Sequence, residues 1–424
     1  MMSANNTETF NPATFNPETF NPDATIAEIF GSPEGRRDPY SRYRALRDNA
    51  PVHVNPEGAL WYLSNFEDCR TVLRDPRLGK TPQDVVRPSL DGSPEILRAQ
   101  RAADAPAPSM LFLNPPDHTR LRSLVSREFT PKRIDDLRPR MDALAAPMLD
   151  DMAAAGTADV MEDLAWRLPV AVIGELVGVP EEDREAFRGT VRDLVALLEV
   201  GASAEETERG IAAGGRLRIY FRELIAKKRL TPREDLLTAL IAVEEEGDRL
   251  SEEELITTMI LLFAAGFETT TNLIGNGLWL LMRHPEQFQL LREKPELMGG
   301  FIEEVLRFEA PVQLNARWTF DEIEIGGFTI PAGRTVVTFL GGANRDPQRF
   351  PNPDTFDIIR TENQPLSFGF GIHHCLGAHL ARAEGKAVFE ALLDRFSVIE
   401  PTEIDPPWHG LTLRGLERLP VRLH

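Results

Sequence analysis

Apolar positions follow two different periods in two parts of this chain. Between residues 117 and 310 they recur at helical spacing, which gathers them on one face of each segment. Breaks fall at Thr130-Pro131, Gly156, Gly178-Val179-Pro180, Gly201 and Thr231-Pro232. Ser251-Glu252-Glu253-Glu254 has the form of a capping box. It opens an expected helix of about thirty residues, roughly 45–50 Å long, that closes before His284-Pro285. The first half of this helix is apolar on every face, so it is expected to run through the middle of the molecule. From Arg317 the pattern becomes that of strands. Ile323 and Ile325, the turn Gly326-Gly327, Phe328 and Ile330 precede Pro331-Ala332-Gly333 and the run Val336–Leu340. Near the start, Pro39 to Asn49 reads as helix, and Val52–Val54 with Leu60–Leu63 reads as a hairpin. Asn65 caps a further helix reaching Arg74. Many helices followed by a smaller β-rich part indicate an α+β, mostly helical fold.

Two stretches break the pattern. Thr-Phe-Asn-Pro recurs at 9–12, 14–17 and 19–22. That period is too short for a solenoid unit, and proline recurs too often for a helix. Residues 1–25 therefore read as a disordered low-complexity tail, and 26–424 as one domain starting near Ile26. Residues 81–109 are rich in Pro and Ala without a clean period, as in loops that act as lids or binding loops.

Composition narrows the partners. The net charge of −19 argues against nucleic acid. Only Cys69 and Cys375 occur, so no disulfide framework is implied and a reducing cytoplasm fits. Cys69 sits in a helical pattern and reads as structural. The start has neither a basic n-region nor an apolar h-region, and so does not read as a signal peptide. The most apolar run, Ile256 to Phe267, is shorter than the ~20 residues that span a bilayer. A cytoplasmic protein with no membrane association is expected.

Phe368-Gly369-Phe370-Gly371-Ile372-His373-His374-Cys375-Leu376-Gly377-Ala378 carries the most specific chemistry. Its glycines let the backbone turn sharply and approach a flat partner, and they deliver Cys375 to the start of a helix. Free N–H groups and the helix dipole there favour a thiolate, which can serve as the axial ligand of haem iron. Three rival readings stand beside this one. A lone cysteine is commonly a small buried hydrophobe. Gly369-x-Gly371 could open a dinucleotide site, but His374 stands at the third glycine position. His373, His374 and Cys375 are consecutive, unlike zinc ligands. The spacing of Phe368, Gly371, His373, Cys375 and Gly377 resembles the haem-binding loop of the cytochrome P450 family.

Other motifs stand in the order that resemblance requires. Ala264-Ala265-Gly266-Phe267-Glu268-Thr269-Thr270 lies inside the long helix, and Asn272 and Asn276 follow Glu268 at steps of four. By itself this is either a packing notch with a polar network, or a carboxylate and an alcohol placed for proton delivery. It resembles the family's oxygen-activation motif. Glu304 and Arg307 share a helix face, which alone would suit a surface ion pair, and they match the family's ExxR element. Asn114-Pro115-Pro116 starts a helix on which His118 and Arg122 share a face, either a solvated basic face or a binder of anionic groups such as carboxylates.

The resemblance covers everything after the tail and implies a prism-shaped fold with a long central helix. It implies haem b, with Cys375 as iron ligand and His118, Arg122, Arg317 and His373 toward the propionates. Gly266, Phe368, Gly369 and Gly377 would also flank the cofactor, with Phe368 and Phe370 keeping the sulfur environment apolar. Glu268 and Thr269 would be catalytic, and Glu304 and Arg307 would fasten the segment before the cysteine loop. Leu262, Phe263, Ala265, Val312, Gln313, Asn315 and Leu411 would line the substrate pocket, with Gln313 and Asn315 as hydrogen-bonding partners. The implied reaction inserts one atom of O2 into a C–H or C=C bond of a medium or large apolar molecule, a natural product of secondary metabolism. Electrons would come from a separate ferredoxin or flavodoxin and its NAD(P)H-dependent reductase. Arg120, Arg127, Lys132, Arg382 and Lys386 are expected to gather on the docking side. The alternatives are peroxide-driven chemistry and a non-catalytic haem sensor.

Overall fold

The computed structural model describes residues 20–82, 107–245 and 250–424. Helix α1 (Pro22–Gly31) starts ahead of the expected boundary at Ile26, because the Asn21 side chain accepts the Ala24 N–H at 3.0 Å and proline suits a first turn. Residues 1–19, with most of the repeats, lie outside the described residues, as do 83–106 of the expected loop. Helices α2 (Pro33–Arg37) and α3 (Tyr40–Asn49) lead into strands β1 (Val52–Val54) and β2 (Leu60–Leu63). Asn65 caps α4 (Phe66–Arg74) through the Asp68 N–H, and β3 (Leu78–Gly79) follows.

The helical stretch breaks close to where proline and glycine stand. It comprises α5 (Asp117–Val125), α6 (Pro131–Asp136), α7 (Arg138–Ala155), α8 (Arg167–Val177), α9 (Glu181–Arg184), α10 (Phe187–Val195), α11 (Ala204–Leu230), α12 (Leu236–Glu245), α13 (Glu252–Arg283), α14 (Pro285–Glu293) and α15 (Met298–Phe308). Strand β4 (Thr157–Asp159) interrupts it, too short to show a period of two. Beyond lie β5 (Leu314–Thr319), β6 (Ile323–Ile325), β7 (Phe328–Ile330), β8 (Thr335–Phe339), α16 (Leu340–Ala343) and α17 (Ala378–Arg395). The chain closes with β9 (Ile399–Pro401), β10 (Trp408–His409), β11 (Gly415–Leu416) and β12 (Pro420–Leu423).

The main sheet has the order β1-β2-β8-β5-β3. Strands β2 and β8 run parallel with Leu60 beside Thr335 and Leu63 beside Thr338; the other pairs are antiparallel. A second sheet, β4-β12-β9, fastens the helical region to the chain's end, with Ala158 opposite Val421.

Helix α13 is the axis of the core and carries the capping box at Ser251. Its Phe263 and Phe267 meet Phe187, Phe221 and Trp166 edge to face. The most enclosed part is the second half, not the first: Thr270–Leu278 is buried throughout, whereas Thr257, Ile260 and Leu261 are half-buried. Within this enclosed half, Asn276 Nδ2 donates to the carbonyls of Glu309 and Arg414, both at 3.2 Å, whereas the Asn272 side-chain amide has no partner among the described residues. Among the described residues no helix is long and apolar enough to cross a membrane.

Candidate active site

The cysteine loop is closed by its own backbone. Cys375 N–H donates to the Phe368 carbonyl at 2.8 Å, and Gly369 N–H to that of Leu366 at 2.7 Å. Gly371 has φ 73°, and a Cβ there would come within 2.5 Å of the Leu73 carbonyl oxygen. The close approach it permits is thus to the end of α4. Phe370 and Ile372 point outward, 36% and 53% exposed, and Arg70 lies over the Phe370 ring. Phe368 is half-buried, with the Arg382 guanidinium 4.4 Å from its ring.

Cys375 stands two residues before Gly377, the N-cap of α17. Its surface is accessible, unlike that of Cys69, which is buried and donates to the Leu63 carbonyl at 3.4 Å. Surrounding protein pushes the Cys375 thiol up, against the Gly377 N–H and the charges of Arg122 and Arg382. A cation at the sulfur would act with these charges to favour the thiolate.

A basic cluster stands beside the loop. The His118 and His373 rings lie 4.2 Å apart, and Arg122 Nη2 donates to the His374 carbonyl at 2.7 Å. His373 also feels the charges of Lys80, Arg317 and Arg122, and with burial these lower its pKa to about 2. Burial lowers Arg317 to about 10. His118 Nδ1, His373 Nε2 and Arg317 Nη2 are buried and have no hydrogen-bond partner among the described residues. Lys80 was not legible in the sequence. Its backbone is held at both N–H and carbonyl by the Asn114 side chain, at 2.7 and 2.8 Å.

On α13, Glu268 is buried and Thr269 half-buried, while Ala265 one turn earlier is exposed. Burial pushes the Glu268 carboxyl up, opposed by Arg192 and Arg188 and reinforced by Glu199. Thr269 Oγ1 donates to the Ala265 carbonyl at 3.2 Å and Thr270 Oγ1 to that of Gly266 at 3.3 Å. The Thr269 proton is engaged there, which leaves the oxygen lone pairs free to accept. A Cβ on Gly266 would meet Ile173 Cγ1 of α8 at 2.6 Å, so its missing side chain makes room for helix packing, as the packing-notch reading expects. Around Gly369 the nearest atom to such a Cβ is the His373 carbonyl oxygen at 3.8 Å, and around Gly377 nothing lies within 4 Å.

Glu304 and Arg307 are wholly buried, which excludes a surface ion pair. Arg307 contacts both Glu304 oxygens, at 2.8 and 2.7 Å, and donates to the carbonyls of Asn344, Pro353 and Thr355. Glu304 accepts the Asp357 N–H, the Arg360 guanidinium and the Asn363 amide. The pair thus gathers the segment that leads to the cysteine loop.

Several expected pocket residues are packed in the core. Phe263 lies in the aromatic core beside Phe187, Phe221 and Phe267. Gln313 is fully buried, and its amide donates to Tyr40 Oη at 2.9 Å and the Ala310 carbonyl at 2.7 Å. Leu411 fills a core cluster with Leu314, Val337 and Phe339. Leu262 is buried and Val312 half-buried, and Asn315 accepts a hydrogen bond from Arg317. Four of the five cations expected to gather for docking face carboxylates: Arg120 with Glu254, Lys132 with Asp136, Arg382 with Glu303 and Lys386 with Glu390.

Comparison with known proteins agrees with this geometry. A model of the cytochrome P450 family matches residues 217–416. Vitamin D(3) 25-hydroxylase of Pseudonocardia autotrophica is 41% identical over 394 residues, spanning 91% of this chain and 94% of its own. The 6-deoxyerythronolide B hydroxylase of Saccharopolyspora erythraea is 38% identical over 400 residues, 91% of this chain and 96% of its own. Among solved structures, P450BioI in complex with hexadec-9Z-enoic acid ligated acyl carrier protein superposes with a TM-score of 0.83 at 36% identity, covering 92% of this chain and 100% of that one.

The chain belongs to the cytochrome P450 family. Its activity is that of a P450 monooxygenase. The family implies haem, and the donor set fits such a group: an accessible thiol, and three orphaned nitrogens in a basic cluster suited to two carboxylates.

Proposed function

We propose that this enzyme uses haem b to insert one oxygen atom of O2 into a C–H or C=C bond of a medium or large, largely apolar natural product in the cytoplasm. Cys375 would hold the iron, and His118, Arg122, Arg317 and His373, joined by Lys80, would hold the propionates. Thiolate-bound haem supplies the reductive cleavage of O2. The chain's own residues supply the protons and keep out stray water.

The observation that carries this reading is the pair Glu268 and Thr269, buried and half-buried beside exposed Ala265 on an otherwise core helix. Burial keeps the Glu268 carboxyl protonated to higher pH than usual, which suits a proton donor. Thr269 Oγ1, with its own proton on the Ala265 carbonyl, can accept from a water and hold it in place. A non-catalytic sensor has no use for this pair.

The relatives' names support the substrate class: one is a vitamin D3 hydroxylase, another a 6-deoxyerythronolide B hydroxylase, and the solved neighbour carries a fatty acyl chain. Electrons would come from a ferredoxin or flavodoxin and its NAD(P)H-dependent reductase. Screening apolar natural products for a spin-state shift, then comparing product formed with ferredoxin, reductase and NADPH against peroxide alone, tests the proposal. Product from peroxide only would favour peroxide-driven chemistry, and spectral shifts without product under either condition would favour a sensor.

A further inference from the structure

Glu199 stands in the connection between α10 and α11, with no motif around it to mark it in the sequence. Its Oε2 accepts the N–H groups of Leu411 at 2.8 Å and Thr412 at 3.0 Å, and its Oε1 accepts that of Leu413 at 2.8 Å. Three successive N–H groups converging on one anion form a backbone nest. Gly410, at φ 66°, lets the turn enter that shape, and a Cβ there would come within 2.0 Å of the Leu413 carbonyl oxygen.

The same turn is fixed on its other side. Gln313 N–H donates to the Thr412 carbonyl at 3.1 Å, Arg414 N–H donates to that of Pro311 at 2.7 Å, and Val312 pairs with Leu413. The Leu411 side chain packs in a core cluster that also holds Val200, the neighbour of Glu199. One carboxylate therefore joins the α10–α11 connection to a turn anchored beside β5. Phe187, at the start of α10, meets Phe263 of α13 edge to face, with ring centroids 5.6 Å apart. The helix that leads into the connection thus packs against α13 just before its catalytic stretch.

We propose that Glu199 is a positioning residue that clamps the α10–α11 connection to the Leu411–Leu413 turn and thereby governs how fast small molecules reach the space faced by Ala265 and Thr269. The inference rests on the monooxygenase reading for what that space does, but the clamp itself can be read without any chemistry.

The test uses the holoenzyme and two variants, Glu199→Gln and Glu199→Asp. Glutamine keeps the size, removes the charge and replaces one acceptor with a donor; aspartate keeps the charge at shorter reach. Amide hydrogen exchange at Leu411–Leu413 should speed up about 10- to 100-fold in the glutamine variant, as expected for lost hydrogen bonds to a charged group. It should speed up less in the aspartate variant. Exchange in β8 should stay as in the parent. Imidazole, followed by its Soret shift, should associate several-fold faster in the glutamine variant than in the parent. An unchanged association rate despite freed turn amides would overturn the proposal, because the clamp would then not govern access. So would exchange that accelerates equally throughout the chain, because Glu199 would then serve global stability alone. Absence of an imidazole shift in the parent would count against the haem reading instead, while the exchange at the turn would still report on the clamp.

Discussion

The rings of His118 and His373 lie 4.2 Å apart at 49°, and each leaves one ring nitrogen buried without a partner among the described residues. One comes from the start of α5 and the other from the cysteine loop, so a ligand between them and Arg317 would bind two distant segments together. Replacing Arg317 or His118 by Leu should weaken haem retention by about 10- to 100-fold each, the range for a hydrogen bond to a charged group. Haem transfer to excess apomyoglobin measures this. Retention equal to the parent in both variants would place the propionates elsewhere.

Cys375→Ala should abolish the red-shifted Soret band of the reduced, CO-treated protein, while Cys69→Ala keeps it. Cys69 is buried against the Leu63 carbonyl and its thiol is pushed well up by burial, so it is poorly suited to bind a metal. A band surviving in Cys375→Ala would sink the assignment.

Thr269→Val keeps the shape of the side chain and removes the oxygen that would hold a water. Product per NADPH should fall and peroxide should rise, with substrate binding unchanged. Glu268→Gln should slow turnover by up to ~10²–10⁴-fold if proton transfer limits the rate. The sign of the pH effect follows from the raised Glu268 carboxyl: its proton is present at low pH and lost as pH climbs through that raised value. Parent turnover should therefore decline with rising pH in a step absent from Glu268→Gln. Full coupling in the first variant and an undiminished rate in the second would exclude α13 as the proton path.

Glu384 on α17 is wholly buried, and neither of its carboxyl oxygens has a partner among the described residues. Burial pushes it well above the usual range. The unfolded chain ionises this group near pH ~4.3 and the folded chain does not, so its contribution to stability is greatest below that pH and is lost as pH rises towards the folded value. The loss runs at about 1.4 kcal/mol per pH unit. Glu384→Gln should raise the unfolding midpoint relative to the parent, by more at pH 8 than at pH 5. Parallel midpoint curves for the two proteins would contradict this.

Breaking the Glu304–Arg307 pair leaves an uncompensated buried charge. Glu304→Gln should cost about 3–5 kcal/mol of stability. Denaturant titration of the holoprotein checks it, and a loss under about 1 kcal/mol would mean the freed arginine finds other acceptors.

Helix ends were legible because the residues that set them act within a few positions: Ser251, Asn65 and Thr130 cap their own helices through side-chain oxygens. Strands β3, β4, β10 and β11 were not, since each has only two or three residues and none has a paired strand just across a two-residue turn, as β6 and β7 have at Gly326-Gly327. The site divides the same way. The cysteine loop and the acid–alcohol pair are local patterns, whereas the direction of Gln313 is decided by Tyr40, 273 residues away. Lys80 and Glu199 carry no local mark, because what distinguishes them is supplied by Asn114 and by the turn after Gly410. The notch at Gly266 was legible, but not that Ile173 fills it.

Strand β8 lies between β2 and β5 in the main sheet, and β2 pairs with it in parallel. During synthesis the β1–β2 hairpin leaves the ribosome early, but its docking partner follows only after residue 335. The hairpin must therefore wait through the whole helical region with one sheet edge unpaired, a state prone to association with other chains. Such distant pairing also slows folding. Yield of the protein in a host cell should thus depend on how well nascent chains are shielded, and slower growth at lower temperature should favour the chain that reaches its native strand order.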